Sequence, residues 1–314
     1  MIVEDEMLAV RAAELYYDEN KTQDEIGTLL NVTRWKVGRL LADARQQGIV
    51  RIEIVHPRAR RLSLERDLRT RMGLRDAIVV PSSDDPDELQ SRVALAAADY
   101  LTTLRPVPRT LGISWGRTLH EVAAHLRAGW STNSSVVQIN GGVSLNKRSS
   151  SAANTAVTIA QKGGGTATLL PSPAILEREE TRRAIEGDRT VAGVLELARS
   201  ASVYLFSAGL VTTTSVLVES GYLSSADVSD LVAKGAVGDV VGRYIDADGN
   251  IVDPSLDART MGITLDEIRS ASTAIAVIAG PQKNDICRTV VTSGLCSVLV
   301  TDETNARYVL EAAS

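Results

Sequence analysis

Thr110-Leu-Gly-Ile-Ser-Trp-Gly-Arg-Thr-Leu-His-Glu-Val-Ala-Ala-His-Leu126 is the stretch that decides the fold. Thr110 to Ser114 form a short apolar run of strand type, Gly112 and Gly116 loosen the backbone around Ser114, and from Arg117 to Leu126 the pattern turns helical. Strand, glycine turn and helix in that order are half of a βαβ unit, which places consecutive strands parallel. The same alternation runs in both directions along the chain. Before it stand Ala77–Val80 and a helix over 86–104. After it come Ser135–Ile139, a helix over 152–161, Thr166–Leu170, a helix over 191–200, Val203–Ser207, Thr273–Ile278, a helix over 284–293, Ser297–Thr301 and a last helix over 303–312. Strands apolar on both faces and separated by helices predict an α/β fold: a Rossmann-like parallel sheet covered on both sides, over residues 76–314.

In such a sheet ligands bind beyond the carboxyl ends of the strands. The turn after the 110–114 strand is the richest candidate. Gly112 and Gly116 permit close backbone approach, Ser114 and Thr118 carry hydroxyls, Arg117 carries a charge, and the following helix aims its first amides at the same place, so a phosphate fits. Gly112-x-Ser114-x-Gly116 also spells the nucleophile elbow of a serine hydrolase. That reading needs a histidine late in the chain, and the last of the three is His125. His120 and His125, five apart, face different ways and make a poor metal pair. Three further turns supply polar groups at strand ends: Gln138-Ile-Asn-Gly-Gly142 with Asn140, Gly141 and Gly142; Gly238-Asp-Val-Val-Gly-Arg-Tyr244 with Asp239 and Arg243; and Gly280-Pro-Gln-Lys283 with Lys283. Together they predict a polar, anion-binding pocket. Lys162-Gly-Gly-Gly165 reads as a helix end and turn.

The first 56 residues differ in kind. Leu8, Ala12, Leu15 and Tyr16 mark one helix, and Thr22-Gln-Asp-Glu25 is a capping box opening a second that carries Ile26, Leu29 and Leu30. Thr33 caps a third helix with a stripe of Val37, Leu40, Leu41 and Ala44. This is a helix-turn-helix pattern, and the alternating Ile49–Val55 reads as a wing strand. Opposite the stripe of the third helix lie Trp35 and Arg39, with Lys36 at the flank. These are candidates for reading bases, Arg34 for a phosphate contact, and Arg51 for a backbone contact from the wing, with Thr33 grouped with them at the helix start. Charge supports the assignment. The chain of 314 residues has a net charge of −5, which by itself argues against nucleic acid, yet residues 31–72 hold 11 basic and 4 acidic side chains, a net +7. Residues 57–75, with Pro57, three arginines and an amphipathic helix carrying Leu64, Leu68 and Met72, read as a linker and bridging helix.

Composition excludes other classes. With 44% apolar and 23% charged residues the chain is not disordered, and no run is long enough to span a bilayer. The acidic start is wrong for a secretory signal, so a cytoplasmic location is expected. Cys287 and Cys296 are too few for a disulfide framework and read as buried apolar residues.

The order of helix-turn-helix, Gly112–Thr118, Gln138–Gly142, Gly238–Tyr244 and Leu299-Val-Thr-Asp-Glu303 resembles the SorC family of bacterial sugar-responsive transcriptional regulators over nearly the whole chain. The resemblance implies an operator-binding domain joined to an effector domain related to sugar-phosphate isomerases and deaminases. It also implies a dimer of dimers, a phosphorylated sugar or polyol as effector, no cofactor and no metal. By similarity Gly112 to Thr118 hold the phosphate, and Asn140, Gly141, Gly142, Asp239, Arg243 and Lys283 surround the sugar. Two stretches depart from the family pattern: Ser207-Ala-Gly209, and Gly280-Pro-Gln before Lys283. The recognition helix 33–39 also departs from the family's serine-rich form. The expectation is a regulator and not an enzyme. Two rivals are an isomerase or deaminase using Asp239 as base beside Lys283, and a sugar sensor acting only through protein partners.

Overall fold

A computed structural model of the chain describes residues 3–50, 56, 58–143 and 152–312. The chain divides into two compact units, Met1–His56 and Pro57–Ser314.

The first unit contains α1 (Val3–Tyr17), α2 (Gln23–Leu30) and α3 (Arg34–Gln46). Thr22 closes the expected capping box: its amide donates to Glu25 Oε2 at 2.8 Å and its hydroxyl accepts from the Glu25 amide at 3.3 Å. Asn31, in the left-handed conformation at φ 52°, ends α2. The turn into α3 is tight enough that a Cβ on Gly27 would stand 2.8 Å from the Val32 carbonyl oxygen, so only glycine fits there. Thr33 then caps α3, accepting from the Lys36 amide at 3.2 Å. Ala9, Ala12 and Leu15 of α1, Ile26 of α2, and Val37, Leu40, Leu41 and Ala44 of α3 bury one another. Most of the wing strand, Arg51 included, lies outside the described residues.

In the second unit, α4 (Leu62–Met72) leads into β1 (Asp76–Val80), α5 (Pro86–Thr103), β2 (Thr110–Ile113), α6 (Arg117–His125), β3 (Ser135–Gln138), α7 (Ala152–Lys162) and β4 (Ala167–Thr168). There follow α8 (Glu179–Glu186), α9 (Arg189–Arg199), β5 (Val203–Phe206), β6 (Ala208–Gly209), α10 (Val216–Glu219), α11 (Ser225–Ala233), β7 (Gly238–Val240) and β8 (Arg243–Ile245). The chain closes with α12 (Pro254–Arg259), α13 (Leu265–Arg269), β9 (Thr273–Ile278), a 3-10 turn over Pro281–Lys283, α14 (Asn284–Thr292), β10 (Val298–Asp302) and α15 (Glu303–Glu311).

Seven strands make one parallel sheet in the order β1-β10-β9-β5-β2-β3-β4. Strand periodicity divides its side chains between two cores. Ala77, Val79, Tyr204 and Phe206 join Leu68, Ile286, Val290 and Val309 on one face, while Ile78, Val80, Val203 and Leu205 join Val93, Ala97, Leu101, Leu119, Val122 and Ile159 on the other. Every residue of β9 and β10 is buried.

Three features differ from the expected pattern. The segment read as a linker is fastened to the second unit: Leu64 and Leu68 of α4 are buried in its core, and the buried Glu65 accepts from the Val79 amide at 3.0 Å. Its three arginines, read as part of that linker, make ion pairs at 2.6 Å with Asp99 (Arg58), 2.6 Å with Glu65 (Arg60) and 2.5 Å with Glu303 (Arg61). Third, a small antiparallel sheet, β6-β7-β8, continues directly from β5 and brings Asp239 alongside Gly209. Its strands of two or three residues are too short to show a period. Among the described residues, no helix is long and apolar enough to cross a membrane.

Candidate functional site

β9, β5, β2 and β3 are neighbours in the sheet, and Ala279, Ser207, Ser114 and Asn140 follow closely on their carboxyl ends. These four residues line one cavity of about 490 Å³, which α6 floors with Gly116, Arg117, Thr118 and His120 and which Asp239 and Lys283 enter from the other side.

The α6 end of the cavity is built to be filled. Gly116 precedes the helix at φ 147°, a conformation that L side chains rarely adopt, and it leaves α6 without a side-chain cap. The first amides of α6 therefore have no side-chain acceptor among the described residues, and a helix start without one attracts an anion. Ser114 is 4% exposed and Asn140 is 2% exposed, yet Ser114 Oγ and Asn140 Oδ1 have no hydrogen-bond partner among the described residues. Buried polar atoms left open cost roughly 1–3 kcal/mol each until a ligand or water satisfies them. Ser114 Oγ makes no hydrogen bond to a basic side chain among those residues.

At the other end, the Asp239 carboxylate accepts from the Gly242 amide at 2.9 Å, and Lys283 Nζ donates to the Ala208 carbonyl at 2.8 Å. Burial pushes the Asp239 carboxyl up to about 6 against the pull of the Gly242 amide and the Lys283 charge. Burial also brings the Lys283 ammonium down to about 8, opposed by Asp239 and assisted by Arg117. Gly209 is what admits Asp239: a Cβ on Gly209 would stand 1.9 Å from its Oδ1.

Of the residues read from sequence, Ser114, Gly116, Arg117, Thr118, Asn140, Asp239 and Lys283 meet in this cavity. Four do not line it. Gly112 is buried within β2, where a Cβ would meet Tyr204 at 2.5 Å and Ile139 at 2.7 Å, so its smallness serves packing. Gly141 runs against the backbone of Pro173, and its carbonyl accepts from Trp115 Nε1 at 2.7 Å. Gly142 accepts from the Tyr222 hydroxyl at 3.1 Å. These two glycines shape the wall behind the site. Arg243 is 5% exposed and spends its guanidinium on the Ile263 and Gly262 carbonyls at 2.9 and 3.2 Å and on Asp257, fixing the last turn of α12 and the loop that follows it. The sequence reading missed Ser207, Thr212, Ser215 and Gln282, which also line the cavity. Ser207 follows an apolar strand and carries the only recoverable signal of the four. Among the described residues no cluster of three His, Cys, Asp or Glu is placed to hold a metal ion. His125 instead meets Ser91 at 3.0 Å.

On the first unit, Trp35 projects from α3 with 75% exposure, and the Arg39 guanidinium lies 5.4 Å over its ring. Gln23, Arg34 and Gly38 complete the surface around them. Arg34, read as a phosphate contact, has a 69% exposed side chain that faces Asp24 at 3.4 Å, and Lys36 faces Asp5 at 3.3 Å. Exposed pairs of this kind contribute about 0–1 kcal/mol, so a phosphate can displace either carboxylate.

A sugar-binding domain family, Sugar-bind, matches residues 56–311. The deoxyribonucleoside regulator of Bacillus subtilis is 30% identical over 97% of this chain and 97% of its own length. The transcriptional regulator LsrR of Klebsiella pneumoniae is 29% identical over 99% of this chain and 94% of that protein. The full-length sorbitol operon regulator SorC of Klebsiella pneumoniae superposes with a TM-score of 0.73 at 27% identity, covering 97% of this chain and 98% of that one. A helical unit with a basic third helix, a parallel sheet with a polar cavity at its strand ends, and these similarities place the chain in the SorC family of sugar-responsive bacterial transcriptional regulators.

Proposed function

We propose that this regulator reads operator DNA through α3 and takes a phosphorylated sugar or polyol into the cavity of the second unit. The phosphate sits on the α6 amides beside Arg117 and Thr118, and the carbon chain extends past Ser114 and Asn140 toward Asp239 and Lys283. The observation that carries this reading is the pair of buried atoms without a partner among the described residues, Ser114 Oγ and Asn140 Oδ1, beside a helix start that has no side-chain cap. A neutral ligand would leave the α6 amides and Arg117 without a counter-charge; a phosphate monoester supplies the charge and its hydroxyls supply the partners. Thermal-shift measurement against matched sugars and sugar phosphates tests it. Phosphorylated members should raise the melting temperature, their parent sugars should not, and Arg117→Ala should weaken the shift. No shift across a broad phosphosugar panel overturns the assignment.

On α3, Trp35, Lys36 and Arg39 contact bases while Arg34 takes a phosphate. Arg39→Ala should then lower affinity by about 1–3 kcal/mol at one operator position, whereas Arg34→Ala should weaken all sequences alike. The working form is a homo-oligomer, the dimer of dimers implied by the family likeness, and sedimentation of the full chain measures it.

One observation favours a second reading. A carboxylate near 6 and a lysine near 8 in one cavity are the groups that acid–base catalysis uses. Turnover of sugar phosphates by the purified protein, lost in Asp239→Asn, would establish that chemistry. The regulator names of the full-length relatives favour the sensor, for which binding without turnover is expected.

A further inference from the structure

The effector cavity and the segment that leads out of the DNA-binding unit are joined by a continuous run of short hydrogen bonds. Lys283 and Gln282, which line the cavity, belong to the Pro281–Lys283 turn, and that turn hangs from Gly280, whose φ of 96° is a glycine conformation. The Gly280 amide donates to Asp302 Oδ2 at 2.8 Å, and the Gly280 carbonyl accepts from Asn305 Nδ2 at 3.0 Å. Asp302 is fully buried and also caps α15, accepting from the Thr304 and Asn305 amides at 2.9 and 3.1 Å. The turn beneath the ligand and the first turn of α15 are thus held by one carboxylate. The next residue, Glu303, reaches Arg61 Nε at 2.5 Å, and Arg61 is the N-cap of α4, with its amide on the Val79 carbonyl at 2.8 Å.

We propose that the Arg61–Glu303 ion pair is the clasp through which occupancy of the cavity is reported to residues 58–61. This inference rests on the cavity being the effector site and adds how that site is coupled. A phosphate on the α6 amides screens the Arg117 charge that Lys283 feels across the cavity, draws the ammonium toward itself and so pulls on the turn at Gly280. Asp302 transfers the displacement to the start of α15, because its two oxygens bind both elements and a packed, buried carboxylate has no slack. Glu303, one residue on, moves relative to Arg61. The pair is the two-state element that such coupling requires: its side chains are 29% and 18% exposed, so water can replace the contact when it parts, and the segment it releases is the covalent path to the helix-turn-helix. Arg58 and Arg60, bound to Asp99 and Glu65, hold the same segment through residues that do not line the cavity.

Hydrogen exchange of full-length protein at residues 58–66 tests the clasp, with inorganic phosphate and a ligand-free perturbation as separate arms. Phosphate should change exchange in this segment several-fold in the unsubstituted protein. In Glu303→Gln it should leave exchange unchanged while still raising the melting temperature, because Glu303 is not in the cavity. Lys283→Met, without any ligand, should also shift exchange at 58–66, and the Lys283→Met/Glu303→Gln double variant should match Glu303→Gln alone. Failure of phosphate to raise the melting temperature would count against the anion site and leave the Lys283→Met arm to decide the clasp. A response at 58–66 that persists in Glu303→Gln, or no response there to Lys283→Met, overturns the proposal.

Discussion

At Asp239 the fold holds a carboxyl that retains its proton to about pH 6, where an unfolded aspartate has lost it near 3.8. The folded state therefore binds more protons between those values, and stability falls as pH rises through them. Asp239→Asn removes this liability. It should raise stability at pH 7 by on the order of 1–3 kcal/mol and change it little at pH 3.5, which denaturant melts at the two pH values will show. Lys283 has the opposite profile: its folded value, about 8, lies below the unfolded 10.5, so its contribution to stability improves from pH 8 upward. Gly209→Ala places a methyl 1.9 Å from Asp239 Oδ1 and should displace the carboxylate, abolishing the pH dependence assigned to Asp239. Some site residues were legible from chemistry alone. Ser114, Arg117, Thr118, Asn140 and Lys283 are polar groups at the ends of strands that periodicity reveals, whereas Asp239, read as part of a turn, sits inside β7, a strand too short to show a period. Gly112 and Arg243 were read wrongly for an equally physical reason. A glycine that makes room for Tyr204 looks the same in sequence as one that makes room for a ligand, and nothing local reveals that Arg243 is spent on the carbonyls of a loop about twenty residues away.

Among the elements, those with a repeat of their own were visible: the capping box before α2, the stripe of α3, and the long strands β9 and β10. The sheet β6-β7-β8 and the short helices α10, α12 and α13 owe their shape to packing against neighbours and carry too few residues for a pattern. The α2–α3 turn offers a sharp test. Gly27→Ala forces a methyl to 2.8 Å from the Val32 carbonyl and should cost about 1–3 kcal/mol, seen as a lower melting temperature of the first unit together with lost retardation of DNA. Thr22→Ala, which removes only the cap, should cost about 1 kcal/mol and leave DNA binding nearly intact.

For the whole molecule, division at His56 into two units with separate cores predicts calorimetry with two transitions. Leu40→Ala, in the first core, should lower one of them by the roughly 2–5 kcal/mol of a buried leucine and leave the other in place, and only the latter should respond to sugar phosphate. A single cooperative transition shifted by both would contradict the division. The charge of the chain does not follow this partition: the +7 of residues 31–72 runs across His56, and Arg58, Arg60 and Arg61 within it are paired with carboxylates of the second unit, which leaves Arg34, Lys36, Arg39 and Arg45 of α3 as the basic surface of the first. DNA affinity should fall steeply with salt, and replacing any one phosphate-binding side chain with alanine should reduce that slope by about one.

The helix start at Gly116 has a temporal consequence. Its amides belong to α6, whose Leu119 and Val122 are locked in the core, so they await the ligand in their final positions and nothing there must rearrange on arrival. If the effector is the phosphorylated sugar proposed above, entry should proceed at nearly one rate for all phosphorylated compounds small enough for the cavity, and discrimination among them should fall on how long each remains. A regulator that works this way would measure residence: a poorly matched metabolite would leave before the response develops, and the best-matched one would set how long the signal outlasts its pulse.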